Sequence, residues 1–120
     1  MQIAVCCSDG AKLRRIALAV EAFSAETGRP AAIAAFPTED ALWREFQPGR
    51  FCGAVVGYGD VKGFLCARRI RAEDKACRVI LLDDTERYAI RGLRIHLSDF
   101  LLRPLEDERL RMAVRRLLTE

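Results

Sequence analysis

Residues 98–105 read SDFLLRPL and carry the strongest indication of the fold. An apolar run bounded by polar residues and a proline is typical of a short strand buried on both faces. Pro104 is suited to the first turn of a following helix. Arg103, just before it, is therefore predicted to lie at the carboxyl edge of a parallel sheet, where ligands bind and chemistry takes place in such folds.

Short apolar runs alternate with segments of helical periodicity along the rest of the chain. Strands are predicted at Gln2–Cys6, Ala31–Phe36, Ala54–Gly57, Val79–Leu82 and within SDFLLRPL. A helix is predicted after each strand; the first is capped by Ser8 or Asp9 and ended by Gly28, and the second is capped by Thr38. This alternation predicts an α/β fold, with a parallel sheet covered by helices on both faces.

Composition indicates one globular domain. The chain has 120 residues, 51% of them hydrophobic, and is predicted to form a single domain over residues 1–120. No apolar run approaches the roughly 20 residues of a membrane span, and the first residues show no charged leader. The net charge is only +3, and the paired arginines are interpreted as solvated helix faces. We therefore expect a cytoplasmic protein whose domain binds neither membranes nor nucleic acid.

The cysteines point away from a metal site. There are five, an odd number, with a single histidine, His96, and no CxxC spacing. Reduced, mostly buried thiols in a cytoplasmic protein are therefore expected. Cys6 and Cys7 should point to opposite sides of a strand, which makes them a poor chelate. A redox role for this pair is left open, because low-pKa thiols need exposure and nearby cations.

Several segments, taken in order, carry a family resemblance. They are MQIAVCCSD at the start, FQPGRF at 46–51, ARRIR at 67–71, and the stretch from Val79 through Tyr88-Ala89 to DFLLRP at 99–104. Together they resemble the receiver domain of bacterial response regulators, most closely receivers followed by a LytTR-type DNA-binding domain. The resemblance covers the entire chain. It implies a flavodoxin-like, doubly wound, five-stranded parallel sheet of order 2-1-3-4-5 with helices on both faces.

In that family, phosphoryl transfer from a histidine kinase depends on groups at the carboxyl edge of the sheet. An acidic pair after the first strand holds a divalent cation, and an aspartate after the third strand accepts the phosphoryl group. A hydroxyl after the fourth strand and a lysine after the fifth contact the phosphate. Hard oxygen ligands suit magnesium, and cations offset the transferred charge.

The chain departs from this pattern at nearly every position. Cys7 and Ser8 stand where the acidic pair is expected, with Asp9 just beyond. Gly57 stands at the phosphoacceptor position, and the loop after it is about two residues short. The hydroxyl position is Asp83 and the lysine position is Arg103, while Phe100 occupies the aromatic switch position. The resemblance therefore implies a degenerate, or pseudo-, receiver without a magnesium site or other cofactor.

Two aspartates at this edge lead to hypotheses with simpler alternatives. Asp60 is either a displaced phosphoacceptor or, preferably, a turn residue that caps the helix beginning near Val61. Asp83 and Arg103 are hypothesised to form an ion pair that replaces the phosphate-responsive contacts; the alternative is two independent, solvated residues. The family usually has a cis peptide at the bond corresponding to Arg103–Pro104. Phe100 is expected to be a static core or interface aromatic.

The expected function is signalling by protein–protein contact, independent of phosphorylation. A DNA-binding output domain is the expected partner. A homodimer through the fourth helix, fifth strand and fifth helix is a further expectation from the resemblance. The chain lacks a glycine-rich phosphate loop, a histidine base and a nucleophile–base pair, so an enzyme is not expected. The alternatives are phosphorylation at Asp60, or small-ligand or redox sensing at the same sheet edge.

Overall fold

The computed structural model describes residues 1–119, so Glu120, the last residue of the predicted domain, lies outside the described residues. Strands and helices alternate five times, as predicted. The strands are β1 (Gln2–Cys6), β2 (Ala32–Phe36), β3 (Gly53–Val56), β4 (Arg78–Asp83) and β5 (Asp99–Leu102). The helices are α1 (Gly10–Thr27), α2 (Glu39–Glu45), α3 (Asp60–Glu73), α4 (Ala89–Arg94) and α5 (Asp107–Thr119).

The five strands form one parallel sheet in the order β2-β1-β3-β4-β5, which confirms the predicted topology. Val5 at the centre pairs with Ala35 of β2 on one side and Val55 of β3 on the other. β1, β3 and β4 lie inside the sheet and are covered by helices on both faces, so β3 and residues 79–82 of β4 are apolar. All five carboxyl ends therefore lie at the same edge of the sheet.

Alternating strand residues build two cores, one on each face. Ile3 and Val5 face the side covered by α1 and α5, where Val20 and Leu117 pack against them. On the other face, β1 contributes to a core that includes Leu42 of α2 and Ile70 of α3. Cys7 belongs to the first core and Cys6 to the second. The prediction that these two thiols point to opposite sides is therefore confirmed, as is the prediction of helices on both faces.

The termini of the first two helices follow the sequence signals. The Asp9 carboxylate accepts hydrogen bonds from the first backbone N–H groups of α1, and Gly28 ends that helix with a left-handed φ of 70°. The hydroxyl of Thr38 accepts from Ala41 at the start of α2. None of the helices in residues 1–119 combines the length and apolar character of a membrane span.

The proline corner differs from the prediction in one respect. Pro104 is not in the first turn of α5, because that helix begins at Asp107, three residues later. The Arg103–Pro104 peptide is cis, as the resemblance implied, and the chain turns here before the helix starts. The carboxyl edge therefore carries a β5–α5 loop of four residues, 103–106, rather than a direct strand-to-helix junction.

Candidate functional site

The carboxyl edge of the sheet brings together the residues that the sequence singled out. Cys7 follows β1, Gly57 follows β3, Asp83 ends β4 and Arg103 follows β5. The strand order places β3 between β1 and β4, so Gly57 lies at the middle of the group. Its backbone N–H donates to the carbonyl of Cys6 at 2.7 Å, which ties the start of the β3–α3 loop to the end of β1.

Gly57 has no side chain, yet the space for one exists. A Cβ built on this residue would lie 3.5 Å from Leu82 Cδ1 and 3.7 Å from Cys7 Sγ, which are ordinary contact distances. The backbone does not require glycine, because Gly57 is not among the positive-φ glycines. Packing at the first side-chain atom therefore does not prevent an aspartate at this position.

The residues after β1 do not fit a divalent cation. Cys7 is 3% exposed, and its Sγ donates to the backbone carbonyl of Asp9 at 3.5 Å. The Asp9 carboxylate accepts from Ala11 N at 2.9 Å and from Lys12 N at 3.4 Å, so it caps α1. A buried thiol, a serine hydroxyl and a capping carboxylate are a poor donor set for magnesium. Within residues 1–119, no group of three or more His, Cys, Asp or Glu side chains is arranged to hold a metal ion.

Asp83 is the buried carboxylate of this edge. Its side chain turns inward, and the residue is only 7% exposed. The Oδ1 atom accepts from the backbone N–H of Asp60 at 3.2 Å and from that of Asp84 at 2.7 Å. Asp83 therefore joins the β3–α3 turn to the start of the β4–α4 loop. Its other oxygen, Oδ2, is buried without a hydrogen-bond partner.

The predicted ion pair between Asp83 and Arg103 is wrong. The Arg103 guanidinium lies 3.7 Å from the carboxylate of Asp84, and both of these side chains are more than half exposed. Asp83 and Arg103 are joined only through the backbone, where Arg103 N donates to Asp83 O at 3.1 Å. The reason is the direction of the side chains: Asp83 faces the interior, whereas Asp84, one residue later, faces solvent. The alternative of two solvated residues is also wrong for Asp83.

The preferred prediction that Asp60 caps α3 is wrong. It is the first residue of the helix, with a φ of 50°, and no side-chain hydrogen bond caps this end. Its carboxylate is 70% exposed and lies 3.8 Å from Arg87 of the β4–α4 loop. Asp60 thus contributes to the same loop junction through its backbone N–H, while its side chain stays accessible.

Aromatic packing fixes the β4–α4 loop from inside. Tyr88, at the end of this loop, is buried and stacks on Phe64 of α3 with the ring centroids 5.1 Å apart. Phe100 of β5 is half-buried against the same core. The loop is therefore held by the Asp83 carboxylate at one end and by the Tyr88 ring at the other.

An ion cluster that the sequence analysis missed lies on β5. The Asp99 carboxylate makes two 2.9 Å hydrogen bonds to Arg109 and a 3.4 Å contact with Arg116. Burial opposes ionisation of Asp99, but the hydrogen bonds from Arg109 and Phe100 and the two positive charges outweigh it and lower its pKa. The seven-residue spacing of the two arginines, two turns of α5, was the sequence signal for this cluster.

Four of the five cysteine thiols are buried. Cys6, Cys66 and Cys77 are at most 1% exposed. Burial, as the main cause, raises the pKa of Cys77 to about 12, and the hydrogen bond with Cys6 together with burial raises the pKa of Cys66 further. The structure gives the Cys6 and Cys7 pair no feature of a redox sensor. Only Cys52 is exposed among the free cysteines.

A cavity of about 20 Å³ at the carboxyl edge is lined by Lys12, Asp83, Asp84 and Arg103, among others. Such a space holds about one water molecule. A wider cavity of about 360 Å³ adjoins it at the end of β5 and is lined by Leu102, Pro104 and Glu106, among others. The alternative in which this edge binds a small molecule therefore stays a prediction.

Neither a protein-family model nor a curated protein matches this sequence, but solved structures share the fold. The response regulatory domain of MrkE from Klebsiella pneumoniae superposes with a TM-score of 0.81 at 13% identity, over 99% of this chain and 96% of that one. The BeF3-activated DrrB receiver domain gives 0.77 at 22% identity, over 99% and 97%. The response regulator DrrB, a Thermotoga maritima OmpR/PhoB homolog, gives 0.78 at 20% identity, over 98% and 52%.

The sheet order, the ten alternating elements and these superpositions define the fold as the CheY-like receiver-domain fold of two-component response regulators. The chain spans about half the length of the response regulator DrrB and nearly all of the DrrB receiver domain.

Proposed function

We propose that this chain is a pseudo-receiver domain that signals by protein contact without being phosphorylated. The proposal is carried by two features that occur together: Gly57 has no side chain, and the Asp83 carboxylate is buried at the end of the neighbouring strand. The position after β3 has no side chain to accept a phosphoryl group, and a buried carboxylate one strand away already binds the two loops beside it. In this proposal, the Asp83 side chain makes the loop contacts that a transferred phosphoryl group would otherwise make.

The contacts of the β4–α4 loop support a domain held in one state. In a phosphorylation switch, this loop would need two arrangements of similar free energy. Here, the Asp83 hydrogen bonds and the Tyr88–Phe64 stack hold it together, and the Asp60–Arg87 pair adds a contact at the surface. The proposed role of the positions Cys7, Ser8, Asp9, Gly57, Asp83, Phe100 and Arg103 is therefore structural, and no magnesium or other cofactor takes part.

The partner in this proposal is an attached DNA-binding output domain of the LytTR type in a cytoplasmic regulator. The α4 face, defined as Ile90, Arg91, Leu93, Arg94 and the neighbouring Leu102, is the proposed contact surface. Ile90 and Leu93 are 71% and 74% exposed, and two arginines stand beside them. A partner surface that is apolar at its centre and acidic at its rim complements this face.

Intact-mass spectrometry after incubation with acetyl phosphate and magnesium tests the proposal. We expect no phosphoryl adduct on the wild-type chain. Asp60→Asn is the matched variant, because Asp60 is the accessible carboxylate of the β3–α3 turn. A single adduct on the wild-type chain that is lost in Asp60→Asn would replace this proposal with phosphorylation at a displaced aspartate.

The contact surface is tested separately in the native full-length regulator. Leu93→Glu puts a charge at the centre of the α4 face, and we expect it to change output activity while leaving the fold intact. Leu65→Glu, on α3 at 41% exposure, is the control on another surface and is expected to leave output activity unchanged. Equal effects of the two variants would argue against the α4 face.

A further inference from the structure

A wide cavity lies at the amino edge of the sheet, opposite the carboxyl edge that the proposed function concerns. It has a volume of about 620 Å³ and lies where β4 and β5 begin. We call it the amino-edge cavity and define it by Arg71, Lys75, Arg78, His96, Leu97 and Ser98, which line it. Its volume is in the range of about 300–1,000 Å³ that small-molecule sites occupy.

The charged groups of the amino-edge cavity all have one sign. Arg71, Lys75 and Arg78 line it, and no Asp or Glu of the described residues does. Within residues 1–119, none of these three cations forms an ion pair with a carboxylate. A recess walled by positive charge attracts anions, because the positive side chains repel one another until a counter-ion binds.

The carboxylates directly next to these lining residues in sequence are bound elsewhere. Asp74 is buried and accepts hydrogen bonds from the backbone N–H groups of Gly49 at 2.8 Å and Ala76 at 3.0 Å. Asp99 is bound by Arg109 of α5. The counter-charge for the cavity is therefore expected to come from outside the domain.

Backbone carbonyls hold the two guanidinium groups of the cavity in place. Arg71 Nε donates to the carbonyl of Ile95 at 3.1 Å, and its Nη1 donates to those of Lys75 at 2.8 Å and Cys77 at 2.6 Å. Arg78 Nη1 donates in the same way to a carbonyl of α5 at 3.3 Å. Within residues 1–119, Arg71 Nη2 forms no hydrogen bond, so both of its N–H groups are available to a ligand. A guanidinium that is fixed beforehand loses little conformational entropy on binding.

His96 has a backbone conformation that favours glycine. It follows the end of α4 with a φ of 59°, in the left-handed region. A histidine there carries strain that a glycine would not, and strained residues of this kind are concentrated at functional sites. His96 is exposed, and its imidazole makes no hydrogen bond within residues 1–119. The imidazole is therefore free to contact a ligand in the cavity.

We infer that the amino-edge cavity binds a phosphate group, either as the free ion or as the ester of a small molecule. Phosphate carries up to two negative charges and accepts hydrogen bonds from guanidinium groups, which suits the free Nη2 of Arg71 and the charges of Lys75 and Arg78. His96 would donate a further hydrogen bond, and Leu97 gives an apolar wall for the rest of an ester. The cations line a recess rather than an extended stripe, which favours a small ligand over nucleic acid. The site lies at the opposite edge from the phosphoacceptor position, so it does not depend on whether the chain is phosphorylated.

Heteronuclear NMR of the isotope-labelled chain, titrated with AMP and separately with inorganic phosphate, tests the inference. We expect saturable shifts at the backbone amides of residues 75–78 and 96–98. Lys75→Glu should raise the Kd for AMP about tenfold or more, because it puts a carboxylate among the cations. Lys62→Glu is the matched control, since it makes the same change of charge on an exposed lysine at the other end of α3, and it should change that Kd by less than about twofold. Tighter binding of AMP than of phosphate identifies an ester as the ligand, and the reverse order identifies the free ion.

His96→Gly separates a binding role of this residue from a structural one. Glycine relieves the left-handed strain, so the Tm of the variant should equal or exceed that of the wild-type chain. The loss of the imidazole should nevertheless raise the Kd for AMP about threefold or more.

Three results would overturn the inference: no saturable shift with either probe, equal weakening by Lys75→Glu and Lys62→Glu, or unchanged AMP binding in His96→Gly. A polyglutamate peptide that binds when neither AMP nor phosphate does would also overturn it, and would indicate an acidic protein partner instead. None of these results depends on the outcome of the acetyl phosphate experiment, which concerns the opposite edge of the sheet.

Discussion

The Asp99 cluster allows a prediction whose size follows from the structure. Asp99→Asn removes the negative charge that binds β5 to α5, while the amide keeps nearly the same shape. The Asp99 side chain is 9% exposed, but Arg109 and Arg116 are each 46% exposed. Breaking a fully buried pair costs about 3–5 kcal/mol, and exposed pairs contribute about 0–1 kcal/mol. Because the arginines are half exposed, Asp99→Asn should fall between these limits. We expect it to lower the free energy of unfolding by about 1–2 kcal/mol at pH 7.

The same cluster has a definite pH dependence. The pKa of Asp99 is lowered in the folded protein, so its contribution to stability is complete above the pKa of the unfolded chain. That contribution is lost as the pH falls through the lower, folded pKa. The difference in stability between the wild-type chain and Asp99→Asn should therefore be constant near neutral pH and should shrink on acidification below about pH 4.

Urea unfolding at a series of pH values measures both effects. At neutral pH, a loss of this size corresponds to a fall in Tm of about 4–8 °C for a domain of this length. Asp84→Asn is the matched control, since the Asp84–Arg103 pair is exposed on both sides and should contribute well under 1 kcal/mol. The reasoning would be refuted if the two variants lost the same stability, or if the loss in Asp99→Asn did not depend on pH.

Three other predictions concern the site and the cores. Asp83→Ala should expose the backbone amides of Asp60 and Asp84, so hydrogen exchange at these two positions should accelerate at least tenfold while the sheet stays protected. Gly53→Ala should destabilise the domain by about 1–3 kcal/mol in urea unfolding, because the new Cβ would lie 2.7 Å from Leu117 Cδ2; Leu117→Ala should relieve the clash in the double variant. In the native state, a thiol reagent should modify Cys52 first and the four buried cysteines only on unfolding, which a Cys52→Ser variant checks by mass spectrometry.

The fold was predictable because its signals are local. Each strand is a short apolar run with a polar or proline boundary, and each helix has its own periodicity. Asp9 and Thr38 in addition cap α1 and α2. These patterns act within a few residues, so the order of elements follows directly from the chain. The resemblance then supplied the strand order, which alternation alone does not specify.

The site was only partly predictable because it depends on side-chain direction. Two consecutive aspartates stand at the end of β4, and the sequence offers no way to tell which one faces inward. The structure buries Asp83 and leaves Asp84 beside Arg103, which reversed the predicted pairing. In the same way, Asp60 begins α3 without capping it, because its own N–H is directed to Asp83 and its side chain to solvent.

By itself, the sequence determined the alternation of strands and helices, the opposite directions of Cys6 and Cys7, and the absence of a side chain at Gly57. These properties follow from residue type and spacing, and they do not depend on how the side chains pack. The tertiary structure alone decided which charges meet: Asp83 with two backbone amides, Asp84 with Arg103, and Asp99 with Arg109 and Arg116. Such contacts join residues on different elements. Their partners are therefore set only when the strands pair and the helices pack against the sheet.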